Sequence, residues 1–188
     1  MPPERRHLRH NVKSRLSIVQ GFDSVVQALG PEDATSFLRP VEEAWIVENV
    51  SAGGFGASVP RIMGDWLKVG VLLAMQPEGG TNWVVGRVRR VSKTSGQQAR
   101  VGIQTLSKAP LATEFELRGT GRVAGVLLPG ADAASAQTSI ALRPAIFVPG
   151  VNFESERGGR HHVYLPQGVA GRGDDYEIVR CREMIRES

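Results

Sequence analysis

The chain has 188 residues, 41% of them hydrophobic, and a formal net charge of +4. That is enough for one generous domain or two small ones with a packed core, and the charge is too modest to imply a genomic DNA partner by itself. No apolar run of about 18 residues exists to span a membrane and the N-terminus carries no apolar signal core; with Cys181 as the only cysteine, the expectation is a cytoplasmic protein.

The first fifteen residues hold Arg5, Arg6, Arg9, Lys13 and Arg15 against Glu4 alone, a basic arm. Glycines (22) and prolines (11) then punctuate short hydrophobic runs, the pattern of many short strands joined by turns. Strands are expected at 15–20, 43–50, 67–76, 82–91 and 99–106. Within Val84–Val91, strict alternation puts Val84, Gly86, Val88 and Arg90 on one side and Val85, Arg87, Arg89 and Val91 on the other, a strand with one wet face. One segment departs from this rhythm: Phe22, Val25, Val26 and Leu29 recur at helical spacing, with Asp23 or Ser24 as cap and Gly30-Pro31 as stop. A further helical turn is expected around 33–38, ending before Pro40.

Composition shifts after Leu106, and Ser107–Pro110 reads as a link. The division predicted is residues 1–108 and residues 109–188. Residues 129–139 are small and polar, a flexible spacer. Strand-like runs resume at 122–128, 140–148, 161–165 and 176–181, with 154–160 a hairpin connection tipped by Gly158-Gly159. The C-terminal part is therefore expected to be a second, smaller β unit, with no clean repeat of the first in its sequence.

Catalytic patterns are missing: no H-E-x-x-H, no G-x-S-x-G, no phosphate loop and no Cys/His zinc spacing. The chain is thus not expected to be an enzyme or to carry a cofactor or metal. His161 and His162 are adjacent, so on a strand they face opposite ways. Arg172-Gly173-Asp174 reads as a turn. Trp45, Trp66 and Trp83 read as core or interface anchors. Aromatics at 6% make a poor stacking platform for single-stranded nucleic acid, so such a partner is not expected.

Two short motifs remain: Arg5-x-x-x-Arg9 and Asn49-x-Ser51-x-x-Gly54, the latter within Glu48-Asn49-Val50-Ser51-Ala52-Gly53-Gly54-Phe55. Asn and Ser bond their own backbone at a strand-to-turn transition and Gly tolerates close approach, so a structural turn and a binding turn are compatible here. After Gly54 come Gly56-Ala57-Ser58-Val59, Leu67–Leu73 with Gly70, Gly86-Arg87-Val88-Arg89-Arg90-Val91 and Arg100-Val101-Gly102-Ile103.

That succession resembles the PilZ domain family over residues 5–106. The resemblance implies a mainly β fold: a six-stranded antiparallel PilZ-like barrel with an N-terminal basic arm and a short helical insertion, followed by the second β unit. It implies a bacterial receptor for cyclic di-GMP, a signal-transduction module. Its ligand-binding residues would be Arg5, Arg6, Arg9, Asn49, Ser51, Gly53 and Gly54, with the arm folding over the ligand. The interval from Arg9 to Asn49 is longer than a minimal PilZ domain needs, and Asn49 stands where the family often has Asp. A protein partner, or further domains of a larger chain, is expected to carry the output. The alternative is a PilZ-like barrel that binds no ligand and serves as a protein-interaction adaptor.

Overall fold

The computed structural model describes residues 14–30, 42–51, 53–130 and 137–186. The first part comprises β1 (Ser14–Gln20), α1 (Phe22–Leu29), β2 (Glu43–Ser51), β3 (Gly54–Val59), β4 (Leu72–Pro77), β5 (Val84–Ser95) and β6 (Gln98–Ser107). The second comprises β7 (Leu111–Leu117), β8 (Gly121–Pro129), β9 (Gln137–Leu142), β10 (Phe153–Arg157), β11 (Arg160–Arg172) and β12 (Glu177–Arg186). Each set closes into an antiparallel barrel, in the orders β1-β2-β3-β6-β5-β4 and β7-β8-β9-β12-β11-β10. Closure leaves no unpaired sheet edge. The strand order is the same in both, so the architecture repeats where the sequence does not, and the second unit is a complete barrel.

Alternation fills each barrel. Leu16, Ile18, Trp45, Val47, Leu73, Met75, Val88, Val101 and Ile103 pack inside the first; Phe115, Leu117, Leu127, Ile140, Leu142, Phe153, Tyr164, Val179 and Cys181 pack inside the second. Burial pushes the Cys181 thiol up to about 12, which keeps it an unreactive packing group. At one end of the second barrel, His162 lies buried with Nδ1 2.7 Å from Glu183 Oε1, while Arg157 donates to the Tyr164 hydroxyl at 3.0 Å. His161 faces the other way, with Nε2 3.0 Å from Glu154 Oε1. Among the described residues no group of three side chains is placed to hold a metal.

A third core joins the barrels. Val19, Phe22, Val25, Leu72, Ala74 and Val85 of the first meet Val126, Leu128, Ala141, Tyr176 and Ile178 of the second. This explains the unbroken apolar runs Leu72–Met75 and Val126–Leu128: both faces of those strands are covered, one by a barrel interior and one by the neighbouring barrel. The second barrel docks through the row Val126–Ala141–Ile178–Gly171 across β8, β9, β12 and β11. Polar bonds frame the joint: the Tyr176 hydroxyl donates to the Gly70 carbonyl at 2.5 Å, Arg143 donates to Asp23 at 2.6 Å, and Lys68 pairs with Asp174.

Several expectations change. Helix α1 forms at the expected periodicity, but neither Asp23 nor Ser24 caps it. Its N-cap is Gly21, with φ 89°, and no side chain caps from that position. Instead the Phe22 N–H donates to Asp175 Oδ2 at 2.8 Å, a carboxylate from the β11–β12 hairpin of the other barrel. Residues 67–71 are not strand; Gly70, with φ 98°, makes a turn before Leu72. The strand expected at 140–148 stops at Leu142, and that of 122–128 reaches Pro129, while residues 131–136 of the predicted spacer lie outside the described residues. Three strands had no expectation of their own: β3, whose glycines dilute its pattern, β7, where glutamates alternate with apolar residues, and β10, which takes most of the segment expected as a hairpin connection at 154–160. The helical turn at 33–38 lies outside the described residues.

Candidate functional site

The Asn49–Gly54 segment is the end of β2, a tight turn and the start of β3. The turn is held from several sides. Ser51 Oγ donates to the Gly54 carbonyl at 3.2 Å, and the Thr105 N–H donates to the Gly53 carbonyl at 3.1 Å. Gly54 sits so close to β6 that a Cβ there would be driven into the Ile103 carbonyl. Gly53, by contrast, faces open space. Its freedom is on the solvent side, where a ligand would come.

The side-chain directions depend on two bulges. Register shifts between Val47 and Asn49 on β2, and between Val88 and Arg90 on β5. Each extra residue, Glu48 and Arg89, inverts the alternation beyond it. Val50 and Val91 therefore turn toward the barrel interior, while Asn49 and Arg90 come onto the outer surface. This corrects the strict alternation expected for Val84–Val91: Arg90 shares the outer face with Arg87, and Val91 packs on the core. Val85, on that outer face, is not wet but fully buried beneath the second barrel.

The result is an outer row across four strands: Asn49 on β2, Gly56 on β3, Gly102 on β6 and Arg90 on β5. At about 4.8 Å per strand, the row spans roughly 14 Å. The Asn49 amide lies over Gly56, its Oδ1 2.9 Å from where a Cβ would stand. The Arg90 side chain lies beside Gly102, its Nε 3.5 Å from the corresponding point. Two glycines thus make a floor with no side chain of its own, the Asn49 amide lying over one end and the Arg90 guanidinium beside the other. The next row is Ser51–Gly54–Gln104–Arg87, in which Arg87 Nε donates to Gln104 Oε1 at 2.8 Å.

These rows line a groove of about 860 Å³ that takes in Arg89, Arg90 and Arg100 as well as Asn49, Ser51, Gly53 and Gly54. Glu48 is its only acidic lining residue among those described, and it pairs with Arg100 at 3.5 Å. Arg89 and Arg90 are exposed and form no ion pair among the described residues. The groove is therefore positive, flat-floored and rich in donors, a setting for an anion with a planar face.

The structure brings together Asn49, Ser51, Gly53 and Gly54 from the sequence-derived set. Arg5, Arg6 and Arg9 lie outside the described residues. The chain enters β1 at Ser14, paired with Val47, just before Asn49 on the adjacent strand. The sequence reading missed Arg90, Arg100, Gln104 and the floor glycines Gly56 and Gly102 as site residues. One signal was available: glycine inside two strands otherwise rich in apolar residues marks a place where something approaches the backbone.

Residues 30–113 match the family model described as Cyclic-di-GMP receptor FimW, middle PilZ domain. The matched stretch contains β2 to β6 and the passage to β7, but not β1 or α1, and is a little under half of the chain. No curated protein and no solved structure matches the chain.

Proposed function

We propose, on the footing that residues 30–113 match the family model described as a cyclic-di-GMP receptor's middle PilZ domain, that this chain binds cyclic di-GMP in the groove over β2, β3, β6 and β5. The observation that carries the reading is the row Asn49–Gly56–Gly102–Arg90. Cyclic di-GMP offers two flat guanines and two phosphodiester charges. A guanine laid on the glycine floor meets the Asn49 amide at one edge. Arg90, at the other end, forks onto guanine O6 and N7, grips a phosphate, or stacks on the purine face. Ser51 and the open side of Gly53 add a hydroxyl and backbone groups. The arm residues Arg5, Arg6 and Arg9 fold over the ligand and add guanidinium contacts.

Calorimetric titration with cyclic di-GMP tests this, with cyclic di-AMP and GTP as controls. One charge-assisted contact contributes about 1.5–3 kcal/mol, so Arg90→Ala is expected to weaken binding roughly 10- to 150-fold, and Asn49→Ala, which removes a neutral hydrogen bond of about 0.5–1.5 kcal/mol, roughly 2- to 13-fold. Arg5→Ala and Arg9→Ala are expected to match Arg90→Ala. Arg90 is exposed, Asn49 lies half-buried on the outer face, and Arg5 and Arg9 belong to the polar arm, so melting temperature should hardly move. Asn49→Ala should narrow the preference for guanine over adenine; a loss shared equally by both cyclic dinucleotides would remove Asn49 as the base reader. No binding by the wild type would favour the adaptor reading instead.

A further inference from the structure

Beside the groove lies a second cavity, in the cleft between the barrels. It measures about 360 Å³ and is lined by Arg87 and Gln104 from the first barrel and by Thr138, Ser139 and Arg180 from the second, with no acidic residue among its described lining. We propose that this cleft is a phosphate-binding site, and that Arg180 of the second barrel is its principal contact.

The two arginines reach the cavity from opposite barrels. Arg87 is oriented at its Nε by Gln104 Oε1, and its Nη1 lies 2.7 Å from where a Cβ at Gly171 would stand. The guanidinium is therefore laid against the backbone of β11, across the joint. Arg180 occupies an outer row of the second barrel, Leu128–Ser139–Arg180–Gly168, on β8, β9, β12 and β11. Those strands are the topological counterparts of β2, β3, β6 and β5. On both barrels this face sets an arginine beside a glycine, Arg90 by Gly102 and Arg180 by Gly168, and a Cβ at Gly168 would meet nothing within 4 Å.

Arg180 is exposed and makes no ion pair among the described residues. A single such arginine is an ordinary solvated surface group. Here it shares a cavity with a second guanidinium, with the hydroxyl of Ser139 and with no carboxylate. Two like charges over one low-dielectric cleft repel, and an anion between them removes that cost. Arginine forks suit phosphate, the Ser139 hydroxyl can supply a further donor, and cavities at domain joints are habitual ligand sites. Gln104 lines both this cleft and the 860 Å³ groove, so the two are contiguous. The phosphate therefore belongs either to cyclic di-GMP seated in the groove, which rests on the reading above, or to a separate ligand of mononucleotide size.

The test is calorimetric titration of the full chain with cyclic di-GMP, GMP and inorganic phosphate, with guanosine as uncharged control. It is run on the wild type, Arg180→Ala and Asn49→Ala, with melting temperature as the fold control. Loss of Arg180 is expected to weaken the phosphate compound that binds by about 10-fold or more, with an unchanged melting temperature. If the phosphate is that of the groove ligand, both variants weaken cyclic di-GMP and the wild type ignores GMP and phosphate. If it is separate, GMP or phosphate binds wild type and Asn49→Ala alike and is lost in Arg180→Ala. Cyclic di-GMP affinity untouched by Arg180→Ala, with no heat from GMP or phosphate, overturns the cleft site and leaves the groove reading standing. Binding of GMP through Arg180 in a chain that ignores cyclic di-GMP does the reverse.

Discussion

Gly102→Val is expected to leave the first barrel folded and to weaken cyclic di-GMP binding by about 100-fold or more, equivalent to about 2.7 kcal/mol. Gly102 is the middle of the groove floor, and a Cβ there meets only the Arg90 side chain, at 3.5 Å or more. That is ordinary contact with a flexible group, so the backbone is untouched and a β-branched residue suits the strand. The branched side chain would nonetheless stand on the floor where a purine must lie flat, and would push Arg90 aside. The control is Gly54→Val, in which the new carbon is driven into the Ile103 carbonyl. That variant is expected to lose the barrel with the site and cannot separate the two. Gly86 behaves like Gly54, with the Gln104 carbonyl 2.7 Å from its Cβ position and the Ile103 and Met75 side chains also within 3 Å. A folded Gly102→Val with wild-type affinity would show that the ligand does not use the glycine floor.

Phe22→Ala is expected to cost about 3–5 kcal/mol of unfolding free energy, as truncation of a buried phenylalanine does. Phe22 is 1% exposed, within the core shared by the barrels. Arg143 of the second barrel lies over its ring at 5.9 Å, and its N–H is capped by Asp175. Truncation leaves a cavity at the joint rather than inside either barrel. Urea denaturation, followed by fluorescence and circular dichroism, measures it. In the wild type the shared core should make both barrels unfold together. In Phe22→Ala the transitions should separate or shift to markedly lower urea. A loss below about 1 kcal/mol would mean that the joint is loosely packed and the barrels are energetically independent.

Tyr176 belongs to the same joint. Burial pushes its phenol above the ordinary range, against the opposing pull of the nearby Arg87 charge. Arg87 thus sits where groove, cleft and joint meet: bonded to Gln104, laid on Gly171 and close to Tyr176. The second barrel meets the first with the four-strand face that, on the first barrel, forms the groove. There the row is Val126–Ala141–Ile178–Gly171, apolar enough to bury, where the first barrel has Asn49–Gly56–Gly102–Arg90. One architecture has two surfaces because the residues on that face differ, polar and glycine-floored in one copy and aliphatic in the other.

Local pattern made much of this legible. Short hydrophobic runs punctuated by glycine and proline identified most of the strands, because a barrel buries short segments that are joined by turns. Helical spacing of Phe22, Val25, Val26 and Leu29 identified α1. The Asn49–Gly54 turn was visible because its residue types satisfy backbone groups locally. What local pattern could not supply was anything set by another part of the chain. The bulges at Glu48 and Arg89 inverted the facing of Asn49 and Arg90, since register is fixed by the partner strand. The helix cap came from Asp175, and the dryness of Val85 came from the second barrel. The groove floor required Gly56 and Gly102 to be paired across strands far apart in sequence. The sequence by itself thus determined where most of the strands lie and which turn carries the polar motif, because those follow from nearest neighbours and local apolar runs. Only the tertiary structure decided which side chains share the groove and how the two barrels join, because those are set by strand register and by surfaces that meet after folding.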